Sequence, residues 1–157
     1  MDTSKEYIEM CRKAVKIQGL FKANTGDFYY CFCTDIEPTD MFPKGFGLSI
    51  ITEWDADLNS ELIIRSETDI WLPRQDQLQG MVFDLPSFQD PIVLNDMFTE
   101  FCHPLTKTRC YDWELEMMAY IDTLKSMEQL WLAFVMLEKF NKKWDGNDWI
   151  TSDRDGE

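Results

Sequence analysis

The chain is poor in positive charge. Its 157 residues include 15 lysines and arginines against 29 aspartates and glutamates, with a single histidine. The resulting net charge of −14 repels phosphate backbones and attracts cationic surfaces. We therefore expect no direct binding of nucleic acid, and we expect the partner to be a protein with a basic surface.

Long apolar runs are also missing. No segment approaches the roughly 18 uninterrupted apolar residues that span a membrane, and the opening MDTSKEYIEM lacks the basic and apolar regions of a signal peptide. The sequence thus predicts a cytoplasmic protein without membrane contact. Its five cysteines are odd in number and fall mostly in apolar stretches, which favours reduced, buried thiols over disulfides.

Aromatic residues, by contrast, are abundant. They make up 14% of the chain, within a hydrophobic fraction of 45%, far more than disordered acidic chains contain. The length suits one domain. We therefore predict a single folded domain over residues 1–150, followed by a solvated acidic tail at 151–157.

The order of predicted elements indicates the fold class. An apolar stripe predicts a helix over residues 3–20, with Thr3 and Glu6 spaced as a capping box. Short β-branched or aromatic runs predict strands, the second and third forming a hairpin around DADLNS. These runs are residues 28–33, 46–52, 61–65 and 69–72.

The second half reads mostly as helix. Asp90 and Pro91 predict the start of a helix that ends at His103, and residues 113–124 predict another. Ser126 and Gln129 have the spacing of a second capping box, before MEQLWLAFVMLEKF. A final hairpin is predicted within KKWDGNDWI. The whole predicts an α+β fold, with a small, mostly antiparallel sheet, an N-terminal helix and a helical C-terminal half.

The stretch DIWLPRQDQLQ (69–79) combines a strand with a polar helical turn. Its hydrophobic residues Ile70, Trp71 and Leu72 are consecutive, so that Ile70 and Leu72 point to one face of a strand and Trp71 to the other. This predicts a strand covered on both faces before Pro73. Arg74, Gln75 and Gln77 are more polar than a connection between a strand and a helix requires. Capping of neighbouring backbone is the favoured interpretation, with binding of a partner as the alternative.

The six tryptophans divide into two groups. Trp71, Trp131 and Trp113 lie on apolar faces and are expected in the core. The others lie at predicted turns, where an exposed indole could anchor a partner. These candidate partner-binding residues are Trp54, Trp144 and Trp149, and the acidic turn beside the first adds Asp55 and Asp57.

Metal-binding patterns are incomplete. Asp55, Asp57 and Asn59 begin like an EF-hand loop, but Ser60 stands where that loop requires glycine. The cysteines at 31, 33, 102 and 110 lack the spacing of zinc sites. We therefore predict no metal and no cofactor.

Catalytic patterns are weak as well. The only histidine, His103, must serve any histidine-based acid–base scheme, and neither a glycine-rich nucleotide loop nor a GxSxG motif is present. Carboxylates are so numerous that pairs of them are inevitable. The sequence favours a protein that is not an enzyme, with a small carboxylate- or metal-dependent hydrolase as the alternative.

Several blocks together suggest a family. With DIWLPRQDQLQ, SMEQLWLAFVMLEKFNKKWDGNDWI (126–150), EYIEMCRKAVKIQ (6–18) and GDFYYC (26–31), the chain resembles short uncharacterised proteins of bacteriophages and prophages of Gram-positive bacteria. The resemblance covers about half the chain and leaves residues 34–66 and 83–123 without counterpart. It implies a phage accessory protein in the host cytoplasm and brings no catalytic residues with it.

From charge and resemblance together, the favoured hypothesis is a protein that binds a host or phage protein. If that partner normally holds nucleic acid, the acidic chain would inhibit it by charge mimicry, as an inhibitor of a host nuclease or defence complex. A virion component is a further alternative.

Overall fold

The structure is a computed structural model, and it describes residues 1–20, 26–31, 47–50, 69–83, 85–86, 89–103 and 112–152. Within these residues the fold is α+β, with an N-terminal helix and a helical C-terminal half, as predicted. The helices are α1 (Lys5–Lys13), α2 (Val15–Gln18), α3 (Gln75–Phe83), α4 (Pro91–Cys102), α5 (Asp112–Ile121) and α6 (Met127–Phe140). The strands are β1 (Phe28–Cys31), β2 (Gly47–Ile50), β3 (Ile70–Leu72), β4 (Lys142–Trp144) and β5 (Trp149–Thr151).

The chain divides into two compact units. The N unit is Thr3–Arg74, and the C unit combines Met1–Asp2 with Gln75–Glu157. The boundary between Arg74 and Gln75 falls inside DIWLPRQDQLQ. The expectation of one domain over residues 1–150 stays a prediction.

In the described part of the N unit, three strands form an antiparallel sheet in the order β2-β1-β3. Tyr29 of β1 lies opposite Ser49 on one side and Trp71 on the other. The strands predicted at 28–33, 46–52 and 69–72 are thereby confirmed as far as the structure describes these residues. The strand predicted at 61–65 and its hairpin turn lie outside the described residues.

The cap of the first helix lies one residue later than predicted. Its N-cap is Ser4, whose Oγ accepts a hydrogen bond from the backbone N–H of Tyr7 at 3.2 Å. The predicted capping box of Thr3 and Glu6 is therefore wrong. With Ser4 as the cap, Glu6 is the second residue of the helix, whereas a capping box requires the third. The single helix over 3–20 is also wrong: at Ala14, with ψ 58°, the backbone leaves the helical conformation and α2 starts afterwards.

In the C unit, α6 is the central element. All seven residues from Trp131 to Leu137 are buried, a pattern of helices covered on every side. Helix α6 packs against α3, α4 and β4. The unit's core is therefore built around one helix that is apolar along its whole middle.

The start of α6 confirms Ser126 as the predicted cap, but the side chain of Gln129 binds the N–H of Lys125, one residue before the cap, instead of closing the box on Ser126. Ser126 Oγ accepts from the backbone N–H of Gln129 at 3.1 Å, and Gln129 Oε1 accepts from the N–H of Lys125 at 2.8 Å. A third residue completes this end: Asp2 Oδ2 accepts from Gln129 Nε2 at 2.8 Å and from Ser126 Oγ at 2.5 Å. The carboxylate thus lies at the positive end of the helix.

The last elements form the predicted hairpin. Asn141 ends α6 in the left-handed conformation (φ 50°), and β4 pairs antiparallel with β5. Asp145 Oδ1 accepts from the backbone N–H groups of Asn147 and Asp148, which closes the turn. Pairing continues past residue 150, since Ser152 N–H donates to Asn141 O at 2.9 Å. Residues 153–157 of the predicted tail lie outside the described part.

Two other predicted helices are confirmed with adjusted bounds. Asp90 caps α4 by accepting from the N–H of Ile92 at 2.8 Å, with Pro91 in the first turn. Helix α5 ends at Ile121, before the predicted Leu124. None of the helices described is both long and apolar enough to cross a membrane.

The contacts at the start of α6 predict a large effect of one buried amide. We expect Gln129→Ala to lower the free energy of unfolding by about 2 kcal/mol, because it removes hydrogen bonds to Asp2 and Lys125 and opens space in the core. The matched control, Met127→Ala, changes an exposed residue of the same turn and should cost less than about 0.5 kcal/mol. Denaturant unfolding of both variants measures this, and equal effects would contradict it.

Candidate functional site

The strand end of DIWLPRQDQLQ lies in the core of the N unit. All three residues of β3, Ile70, Trp71 and Leu72, are buried. The predicted coverage of both strand faces is therefore confirmed. A partner has no side chain of this strand within reach, so the functional interest passes to the polar residues that follow.

Gln18 acts on β3 as a neighbouring strand would. Its Oε1 accepts from the backbone N–H of Trp71, and its Nε2 donates to the carbonyl of Trp71, each at 3.0 Å. The same amide nitrogen lies 3.1 Å from the carbonyl of Cys11. Because a primary amide has the donor and acceptor of a peptide group, this side chain satisfies both backbone groups of Trp71 as a paired strand would.

The polar residues after β3 bind backbone of the same unit. The buried Tyr7 hydroxyl donates to the carbonyl of Pro73 at 2.6 Å. Arg74 Nη1 donates to the carbonyl of Gly26 at 2.9 Å and to Asp27 Oδ1 at 3.1 Å. Asp27 is only 1% exposed, so the guanidinium neutralises a buried carboxylate. Arg74 thus has the capping role that was favoured for it, and its binding of a partner stays a prediction.

The helical end of the motif belongs to the C unit. Gln75 and Gln77 are half-buried in the first turn of α3, whose Leu78 and Val82 are buried. At the other end of this helix, Lys139 Nζ donates to the carbonyl of Met81 at 3.1 Å. The two glutamines remain candidate partner-binding residues, with limited exposed surface.

Two predicted anchors are not exposed. Trp144 and Trp149 are 3% and 4% exposed, and their rings lie 5.2 Å apart. They oppose each other across the hairpin, and both indoles are buried. The backbone N–H of Trp144 donates to the buried hydroxyl of Tyr120 at 3.3 Å. The expectation of exposed indoles at these positions is therefore wrong, because only residues 145–148 form the turn.

The remaining candidates give no assembled site. Trp54, Asp55 and Asp57 lie outside the described residues. Burial raises the pKa of the Cys102 thiol, which keeps it protonated at neutral pH, beside the exposed His103. Among the residues whose positions are described, no three of the types His, Cys, Asp and Glu come together as metal ligands would.

Helix α4 carries an exposed surface outside the residues that the sequence singled out. Four of its exposed residues, Ile92, Val93, Asp96 and Glu100, fall within an arc of about 100° on the helix, and we call them the outer strip. Ile92 is 71% exposed and Val93 40%. The strip therefore combines two aliphatic side chains with two carboxylates on one face.

The opposite face of α4 holds the helix firmly. Phe98 stacks on Trp131 with ring centroids 3.8 Å apart and planes 6° from parallel. Phe134 meets both rings edge-on, and Phe101 also lies against it at 5.3 Å. Aromatic pairs of this kind contribute roughly 0.5–1.5 kcal/mol beyond their burial, so the outer strip is presented on a fixed support.

The charges of the outer strip oppose the helix that carries them. Asp96 and Glu100 are four residues apart, where like charges repel, and Glu100 lies in the last turn, at the negative end of the helix dipole. Helix α6 follows the favourable pattern, with Glu128 in its first turn and Lys139 in its last. Helix α4 has no lysine or arginine, and this absence was the available sequence signal.

No known protein family, curated protein or solved structure matches the chain. Its function is therefore inferred from its own residues.

The bonds of Arg74 predict a structural effect of its removal. We expect Arg74→Ala to lower the free energy of unfolding by about 2 kcal/mol, because the buried carboxylate of Asp27 loses a charged donor. Arg12→Ala, which removes an exposed pair with Glu9 in the same unit, should cost less than about 1 kcal/mol. Urea unfolding of both variants compares the two costs. Unchanged stability in Arg74→Ala would contradict the structural role.

The charge pattern of α4 predicts a substitution that stabilises. Glu100→Lys should raise the free energy of unfolding by roughly 0.5 kcal/mol, because it relieves repulsion from Asp96 and complements the helix end. The same change at Glu128 should lower it by about 1 kcal/mol, since Glu128 lies at a helix start, 3.1 Å from the amino group of Met1. Thermal unfolding in low salt measures both variants. A shift of the two melting temperatures in the same direction would disprove this expectation.

Proposed function

We propose that the chain acts by protein–protein interaction, as the acidic partner of a protein with a basic surface. The observation that carries this proposal is the net charge of −14 on a chain that folds around buried hydrophobic cores. Such a charge raises the rate of association with a cationic surface and weakens binding to other partners. Its effect on rate and specificity is larger than its effect on affinity. Binding of this kind requires an exposed surface and no catalytic group.

The proposal extends to the kind of partner. The resemblance to short phage and prophage proteins favours a host or phage protein, met in the host cytoplasm. A groove that normally holds nucleic acid has the cationic surface that the chain's charge complements. Occupying that groove would inhibit a nuclease or defence protein by competition, which is the form of charge mimicry we propose.

Affinity capture tests the proposal. The protein, tagged after residue 157 because Asp2 is engaged at the start of α6, is used as bait in nuclease-treated lysate of the bacterial host. We expect a protein that binds nucleic acid to be retained, released by rising salt, and displaced by added oligonucleotide. Mass spectrometry identifies it.

A folded acidic protein of the same net charge serves as the control bait. Retention of the same proteins by both baits would contradict specific interaction, since charge alone would then explain it. Retention that neither salt nor oligonucleotide affects would leave an interaction protein but contradict charge mimicry.

A further inference from the structure

We infer that the outer strip of α4 (Ile92, Val93, Asp96 and Glu100) is the docking surface for a basic amphipathic helix of the partner protein. This inference rests on the proposed function and names the surface through which it works. Three observations on the C unit carry it.

The first observation is the pairing of apolar and acidic exposure. Ile92, at 71% exposed, and Val93 lie beside Asp96 and Glu100 on one helix face. An aliphatic contact next to two carboxylates suits the side chains of lysine and arginine, whose apolar stems cover aliphatic surface while their charged ends reach carboxylates. A purely acidic face would lack the first of these contacts.

The second observation is that the strip costs its own helix stability. Asp96 and Glu100 repel each other at four-residue spacing, and Glu100 opposes the helix dipole. Neither carboxylate takes part in an ion pair within the described part of the chain. Local choices that work against the fold are expected at functional surfaces, where a partner supplies the missing charge.

The third observation is the fixed geometry of the strip. The stacking of Phe98 on Trp131 and the capping of α4 by Asp90 hold the helix in place. From Ile92 to Glu100 the strip rises about 12 Å, a little over two turns. Cationic residues at four-residue spacing on a partner helix match the two carboxylates, and a preformed helix binds without the cost of ordering its backbone.

A peptide experiment tests the inference on the full chain. The probe is a synthetic helical peptide of about 18 residues, with lysines four apart beside a leucine stripe, and a scrambled peptide of the same composition is its control. Amide chemical shifts locate the binding and titration gives Kd. We expect shifts at residues 92–100, and binding at least about tenfold weaker for the scrambled peptide.

Variants with equal net charge separate the strip from the general acidity of the chain. The double substitution Asp96→Lys with Glu100→Lys should weaken binding about tenfold or more. The double substitution Glu116→Lys with Asp122→Lys changes two exposed acidic residues elsewhere in the C unit and should bind like the original protein. Ile92→Ser should also weaken binding, which charge alone does not explain.

Equal weakening by the two double variants would overturn the assignment of the strip and leave the proposed function standing. Failure of the peptide to bind, while a cationic protein is still captured specifically from lysate, would overturn it in the same way. Failure of both experiments would remove the proposed function itself. Thermal unfolding checks that each variant is folded, and the double strip variant should be at least as stable as the original protein.

Discussion

The stacking of Phe98 on Trp131 is the contact on which the C unit's exposed surface depends. It joins α4 to the buried middle of α6 through rings 3.8 Å apart, and Phe134 closes the cluster edge-on. Since α6 itself is buried from Trp131 to Leu137, α4 is attached to the most enclosed element of its unit. The position of the outer strip follows from this attachment, because fixing the aromatic face of a helix also fixes its opposite face.

Polar residues with a functional appearance are used for structure in the N unit. Gln18 takes the place of a strand at the edge of β3, and Arg74 neutralises the buried Asp27 while binding the carbonyl of Gly26. A sheet edge and a buried carboxylate both carry a large cost when their polar groups lack partners. The charged face of α4 has the opposite character, since Asp96 and Glu100 form no ion pair within the described residues and Glu100 opposes the helix dipole.

Much of the fold was predictable from the sequence, because its signals are local. The caps at Asp90 and Ser126, the strand at Ile70–Leu72 and the hairpin around residues 145–148 all depend on neighbouring residues, and all are confirmed. The errors arose where contacts between residues distant in the sequence determine the structure. The indoles of Trp144 and Trp149 are buried by pairing across the hairpin, and the support of Gln18 for β3 joins residues 53 positions apart. The outer strip was missed because exposure on α4 follows from the packing of Phe98, which sequence alone does not give.

The most direct test of the central claim, that the carboxylates of α4 meet cationic side chains of the partner, is a charge swap measured by titration calorimetry. The chain carrying Asp96→Lys and Glu100→Lys is titrated with an amphipathic peptide whose lysines are replaced by glutamates. If the strip is the docking surface, the doubly substituted chain binds the acidic peptide at least about tenfold more tightly than the original protein does. Equal, weak binding of the acidic peptide by both proteins would contradict the claim.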